Sequence, residues 1–378
     1  MTKLCIFSFY NKNGYVADYV SYLLKELKTV ADRIIFVANG FLSNEGKNKV
    51  QEFTKEILVR DNLGFDAGAY KYALVDYLKT DLSGIDEMIF CNDTFWGPFV
   101  SMQSIFSKMK KEECDLWGLG FVKNNYVNFI PSFFLVFRRR IISDGSMIDY
   151  IAKNFDESSN DIHNAYAVFE TGLFDYLTRI KLFTFSYYTD IQNINIYRAP
   201  SYLLRNCAFP ILKRRCLSAK YFNVDKIIDS LDYIKNNTQY NYRIILNDLE
   251  KSYSLKIDEN SIRKKDVILD SHCFFYYNHC EQTSKEIEDF IEKSNGFYIY
   301  GAGIIGCRVY WRYAHNNKNF KGFIVSDGKM ENENEFMKER LFHASDLSMK
   351  GKRILVSVNI ENIHNIKEIL EGAVTYYI

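Results

Sequence analysis

The stretch from Asp86 to Pro98, Asp-Glu-Met-Ile-Phe-Cys-Asn-Asp-Thr-Phe-Trp-Gly-Pro, ends a short apolar run in a carboxylate. Met88 to Cys91 has the pattern of a strand buried on both faces of a parallel sheet. Asn92-Asp93-Thr94 closes that strand, and Trp96-Gly97-Pro98 turns the chain. A carboxylate at the carboxyl end of such a strand stands where open α/β sheets bind their ligands. The plainer reading is that Asp93 and Thr94 only cap a helix running from Ser101 to Lys110. Upstream, Arg60-Asp-Asn-Leu-Gly-Phe-Asp-Ala-Gly-Ala-Tyr70 leads into a helix that reaches Leu78. Small residues at 64, 67, 68 and 69 let a backbone approach a ligand, and the helix N-terminus behind them favours a diphosphate. The alternative is a turn that needs glycine for positive φ. The two motifs lie one helix apart, and the pair is more specific than either alone.

The surrounding elements must hold these residues in place. Leu4 to Phe9 reads as a first buried strand, and Tyr15 to Val30 carries a helical stripe of Val16, Tyr19, Val20, Leu23, Leu24 and Leu27. Arg33 to Ala38 is a second strand, Lys47 to Glu56 a second helix, and Glu56 to Val59 a third strand. This β-α-β-α-β order predicts a mostly parallel α/β sheet with right-handed crossovers. The chain has 378 residues, 47% of them hydrophobic and 25% charged, enough for two or three domains with sizeable cores. Lys plus Arg number 48 and Asp plus Glu 47, so a net charge of +1 gives no global reason to seek nucleic acid. Eight scattered cysteines form no compact disulfide framework, which points to a reducing cytosol. No stretch approaches the ~18 apolar residues of a membrane span, so work on lipid-linked material would be done from the membrane surface.

Asn62-x-Gly64-Phe65-Asp66-x-Gly68-Ala69, Asn92-Asp93-Thr94-x-x-Gly97-Pro98 and Asp115-x-Trp117-Gly118 together resemble the rhamnan synthesis F family of glycosyltransferases. Ser132 to Phe137 is similar to that family's central strand, Glu170-x-Gly172-Leu173 to its acidic motif, and Phe209 to Arg214 to its closing segment. The likeness spans roughly residues 1 to 250. It implies a GT-A-like fold, a nucleoside diphosphate sugar donor (dTDP-rhamnose for this family) and a growing cell-surface polysaccharide as acceptor. The chain departs from many GT-A enzymes in having one carboxylate, Asp93, where they have two.

Glycosyl transfer requires the leaving diphosphate to be neutralised, commonly by Mg²⁺ or Mn²⁺ on one or two carboxylates, and the acceptor hydroxyl to meet a base. On this reading Asp93 is the metal or ribose ligand, supported by Asn92 and Thr94. Asp66 holds the base or ribose, beside Asn62, Gly64 and Gly68. Glu170, behind the apolar run 166–169, is the first candidate for the base, with a place in the first turn of a helix over 171–179 as the structural alternative. Asp115 is the second candidate. Arg138-Arg139-Arg140 and Lys213-Arg214-Arg215 are either solvated ends or contacts to diphosphate and anionic lipid. His272-Cys273 and His279-Cys280, seven residues apart, match no usual zinc spacing and read as ordinary packing.

Beyond residue 220 the apolar positions of Val224 to Leu255 predict two helices packed on the first domain, and Ser284 to Lys293 a third. Phe297 to Gly306 is then a strand followed by Gly301-x-Gly303-x-x-Gly306 and a helix over 304–314, with Asp327 closing the next strand at a distance suited to a ribose. Arg353 to Val358 and Ala373 to Ile378 add strands around a helix over 360–370. The expected division is a transferase domain over 1–220, a helical extension over 221–293 and a small Rossmann-like domain over 294–378. That last unit is a structural remnant, a nucleotide or nucleotide-sugar site, or an NAD-dependent unit lacking a visible hydride-transfer constellation. For the whole chain a glycosyltransferase leads; a non-catalytic nucleotide-sugar-binding partner and a sugar-nucleotide oxidoreductase are the alternatives.

Overall fold

The computed structural model describes residues 1–123, 128–155, 161–192, 194–267, 269, 273, 280–327, 340–358 and 363–378. In chain order the first strands are β1 (Lys3–Phe9), β2 (Arg33–Asn39), β3 (Glu56–Arg60), β4 (Glu87–Asn92), β5 (Phe95–Trp96) and β6 (Leu116–Gly120). They are followed by β7 (Val122–Lys123), β8 (Asn128–Phe129), β9 (Phe134–Arg138), β10 (Phe185–Thr189) and β11 (Leu212–Lys213). Seven of them form one sheet in the order β10-β6-β9-β4-β1-β2-β3. All neighbours in it are parallel except β9, which runs antiparallel to both β4 and β6. The expected mostly parallel α/β sheet is present.

Alternate side chains of these apolar strands enter opposite layers, as the two-residue strand period requires. Phe7, Phe36, Ile89 and Trp117 face one layer, which contains Leu23, Leu24 and Leu27 of the helix Asp18–Lys28. Helices Val224–Asn237 and Arg243–Tyr253 pack into the same layer through Ile227, Leu231, Ile245 and Leu249. Ile6, Val37, Phe90 and Phe137 face the other layer, where Tyr70 stacks on Phe90 with ring centres 4.3 Å apart. That layer also receives the continuous helix of mixed α and π turns from Ile162 to Ile180.

Several boundaries differ from expectation for local reasons. The second helix is Asn44–Gln51, starting early because Ser43 Oγ accepts from the Gly46 amide at 3.0 Å. Ser101 likewise caps the helix Met102–Met109, so Asp93 and Thr94 are not its caps.

The C-terminal strands β12 (Phe297–Tyr300), β13 (Phe320–Val325), β14 (Leu341–His343), β15 (Arg353–Val356) and β16 (Val374–Tyr377) form a parallel sheet in the order β14-β13-β12-β15-β16. Strand β14 has no apolar run to announce it. Gly301 has φ +101°, and a Cβ on Gly306 would lie 1.9 Å from the Gly301 carbonyl oxygen. Both glycines therefore serve the tight strand-to-helix turn. Gly306→Ala must push that turn apart, and overpacking of this kind costs about 1–3 kcal/mol. A urea unfolding midpoint equal to that of the parent would show the turn to be slack.

Candidate active site

Strands β1, β2 and β4 end together, so Ser8, Asn39 and Asn92 lie side by side at one edge of the sheet. Asp66, entering from the helix Phe65–Lys71, is fastened there by Ser8 Oγ at 2.8 Å and Asn92 Nδ2 at 2.6 Å. Asn39 Nδ2 donates to Ser8 Oγ at 3.2 Å, and Arg60 donates to Asn39 Oδ1 at 2.8 Å. Gly64 adopts φ +68° to start that helix, while a Cβ on Gly68 would lie 2.2 Å from the Leu63 carbonyl oxygen. Gly64 and Gly68 thus shape the turn that presents Asp66; the close approach at Gly68 is to the chain itself.

Asn92 Oδ1 accepts from the Thr94 amide at 3.2 Å and hydroxyl at 2.6 Å, which folds the chain back after β4. The cations arrive by a second device. Strand β11 pairs antiparallel with β5, Lys213 opposite Phe95, and the Arg214 amide donates to the Thr94 carbonyl at 3.1 Å. Lys213 Nζ donates to Thr94 Oγ1 and lies 4.1 Å from the centre of the Phe133 ring. Arg214 Nη1 stands 4.0 Å from Asp93 Oδ2, and Tyr19 donates its hydroxyl to that carboxylate at 3.3 Å. Asp248 holds Arg214 from behind, accepting from its Nε at 3.1 Å and from Trp96 Nε1 at 2.9 Å.

A cleft of about 400 Å³ opens over these groups. Its polar wall includes Asn62, Asp66, Asp93, Thr94 and Arg214; Tyr10 and Ser132 border it, and Tyr166 and Phe169 line its apolar side. Burial pushes the Asp93 carboxyl up to about 7, against the opposing pull of Arg214. That pull is on the order of 4 kcal/mol at 4.0 Å with an effective dielectric of about 20, so desolvation is the larger effect. Burial brings the Lys213 ammonium down to about 7, opposed by Asp66, Glu170 and Asp93. It also raises the Asp66 carboxyl, which the Ser8 hydrogen bond counters.

Not every expected residue is here. Asp115 precedes β6 at the opposite edge of the sheet, where it accepts from Arg140 at 2.7 Å and from the Thr184 amide at 2.9 Å. Five residues of strand, roughly 17 Å, separate that edge from Asp93, so Asp115 is no base for this cleft. The antiparallel β9 delivers Arg138, Arg139 and Arg140 to the same far edge, paired with Glu87, Asp86 and Asp115. Lys213 is buried and Arg214 faces the cleft, held from behind by Asp248, so neither offers an outer surface for lipid. Glu170 lies behind the cleft wall with both oxygens engaged, by Ser132 and by Arg308.

In the C-terminal sheet a Cβ on Gly303 would meet nothing within 4 Å, while Asp327 bonds Ser345 Oγ at 2.9 Å. His272 and His279 lie outside the described residues. Cys273 is buried with Lys226 Nζ 3.3 Å from its sulfur. Among the described residues no cluster of three or more His, Cys, Asp or Glu side chains could hold a metal, and no helix is long and apolar enough to cross a membrane.

The family profile described as rhamnan synthesis protein F matches residues 34–292. The chain belongs to that family. Membership supports a glycosyltransferase of polysaccharide biosynthesis. An uncharacterized protein, y4gN, of Sinorhizobium fredii is 22% identical over 139 residues, and the match covers 35% of each chain. The glycosyltransferase GlyE of Streptococcus pneumoniae superposes with a TM-score of 0.34 at 12% identity, covering 100% of this chain and 95% of that one. A cytidylyltransferase from Leptospira borgpetersenii gives 0.32 at 9% identity, covering 71% and 100%. Overlaps this loose carry no argument, and the family match stands without them.

The elevated Asp93 value has a stability consequence. Its protonated form is the better buried one, so its stabilising contribution is present at low pH and is lost as pH rises through about 7. Asp93→Asn keeps the shape without the charge. Its melting temperature should gain on that of the parent between about pH 5 and about pH 8. A difference that stays flat over that range would show that Asp93 remains ionised throughout.

Proposed function

We propose that the cleft transfers a sugar from a nucleoside diphosphate sugar, dTDP-rhamnose by family resemblance, to a lipid-linked glycan acceptor. The observation that carries this reading is the meeting of Asp93, Lys213 and Arg214 at the carboxyl end of β4. A departing nucleoside diphosphate concentrates negative charge, and buried, preorganised cations stabilise such charge far better than water-exposed ones. Lys213 and Arg214 are fixed before substrate arrives, by Thr94 on one side and Asp248 on the other. Tyr10 at the mouth, 47% exposed, offers its ring to a base, with Asn62 beside it for polar contacts. Tyr166 and Phe169 give the opposite wall an apolar face for the sugar.

One carboxylate is enough for a divalent cation that arrives with its phosphates, because Mg²⁺ is commonly held by one or two carboxylates plus substrate oxygens. Asp93 fits that share, since Asp66 is already committed to Ser8 and Asn92. Mg²⁺ or Mn²⁺ held there would supply further neutralisation of the leaving diphosphate.

Release of nucleoside diphosphate from a panel of nucleotide sugars, with and without Mn²⁺, tests the reading. Asp93→Ala should lose at least about a hundredfold in kcat while unfolding as cooperatively as the parent. Near-normal turnover in that variant would remove Asp93 from the reaction. A parent stabilised by nucleotide sugars yet releasing no nucleoside diphosphate would be a binding protein instead.

The rate should also be bell-shaped in pH and peak near neutrality. Asp93 must ionise on the acid side and Lys213 must stay protonated on the alkaline side, both near 7. Lys213→Arg, whose charge persists, should flatten the alkaline limb alone. Retention of that limb in the variant would assign it to another group.

A further inference from the structure

Glu170 joins the cleft to the C-terminal sheet, and the contacts run in an unbroken line. Its Oε1 accepts from the Ser132 amide at 3.1 Å and from the Ser132 hydroxyl at 2.9 Å. Ser132 borders the cleft, and the next residue, Phe133, accepts the Asn92 amide on its carbonyl at 3.2 Å. On the other side, Glu170 Oε2 accepts from Arg308 Nη2 at 3.2 Å. Arg308 belongs to the helix that follows the Gly301–Gly306 turn, and its guanidinium lies 4.6 Å from the centre of the Phe129 ring.

The Glu170 and Arg308 side chains are 11% and 12% exposed, so water screens neither well. Removing one member of such a pair leaves a buried charge uncompensated, and the structure must shift to hydrate it. The first thing to shift is the Ser132 segment, because it hangs on the same carboxylate. A second pair in the same interface, Arg312 with Asp175 at 3.5 Å, has neither member on the wall of the catalytic cleft.

We propose that Arg308 is a positioning residue for the transfer reaction. From the helix Ile304–Val309 of the C-terminal unit it holds Glu170, and through Ser132 and Phe133 it keeps the Asn92-Asp93-Thr94 edge aligned for the donor. The C-terminal unit is thereby a working part of the active site, whatever its glycine turn binds. The kinetic half of this statement rests on the transferase reading above; the mechanical half does not.

The test compares Arg308→Met, Arg308→Lys and Arg312→Met in the full chain. Amide hydrogen exchange at Ser132 needs no substrate. It should speed up about tenfold or more in Arg308→Met, stay near the parent rate in Arg308→Lys, and be unaffected by Arg312→Met. With nucleotide sugar, kcat should fall roughly tenfold to a hundredfold in Arg308→Met while KM changes little, and Arg308→Lys should recover most of the loss. Arg308→Gln replaces Arg308→Met if the latter does not fold. Ser132 exchange equal to that of the parent, or raised equally by Arg312→Met, overturns the proposal; so does faster exchange with undisturbed kcat. A parent that turns over no nucleotide sugar sinks the transferase reading, and the exchange comparison then decides the Arg308 link by itself.

Discussion

The cleft depends on a pairing two residues long. Strand β11 lies against β5, and this pairing brings Lys213 to Thr94, 119 residues earlier, and Arg214 to Asp93, 121 residues earlier. Each of these charges would be poorly tolerated where it is without the others. Asp248, 152 residues from Trp96, ties the same ribbon to the helix Arg243–Tyr253. That helix therefore supports the cleft as much as the strand that ends just before Asp93. A site built from buried opposite charges is poised rather than relaxed: burial pushes Asp93 up and Lys213 down, each toward about 7, against the opposite charges around them.

Much of this was legible in the residues. The apolar runs of β1, β2 and β4 announced a sheet buried on both faces, and Asn92-Asp93-Thr94 marked the polar end of β4. The resemblance carried by Phe209 to Arg214 drew attention to Lys213 and Arg214, which the fold brings beside Thr94 and Asp93. What could not be read was direction. A hydrophobic run such as Phe134–Phe137 reports burial but not which way the strand points, and the antiparallel course of β9 sends three arginines to the far edge, where Asp115 stands at the start of β6. Register over long separations was equally hidden. Tyr19 and Asp248 sit among apolar helical positions and look like packing until β5 and β11 meet. Ser8, a lone hydroxyl in an apolar strand, is the local signal for the Asp66 contact.

Glu170, expected as a base, has both carboxylate oxygens engaged, by Ser132 and by Arg308. Its neighbourhood of aromatic and aliphatic side chains suits a base, yet the carboxylate faces an arginine contributed from beyond residue 300. No local pattern encodes that partner. The glycines divide in a similar way. Gly68, Gly301 and Gly306 are required by the backbone's approach to itself and Gly64 by its left-handed φ, whereas Gly303 has open space above it. A shared composition thus conceals two different reasons for small residues.

The helix from Ile162 to Ile180 faces two ways, with Phe169 in the core beneath the seven-stranded sheet and Ala167 in the core of the C-terminal one. It carries Glu170 and Asp175, each matched to an arginine of the second unit. A chain cut before Phe297 would lose both cations at once, stranding two carboxylates beside newly bared apolar surface. Anyone wishing to study the first unit by itself must redesign this helix as well as choose an end point, because the seam between the units is written into its side chains.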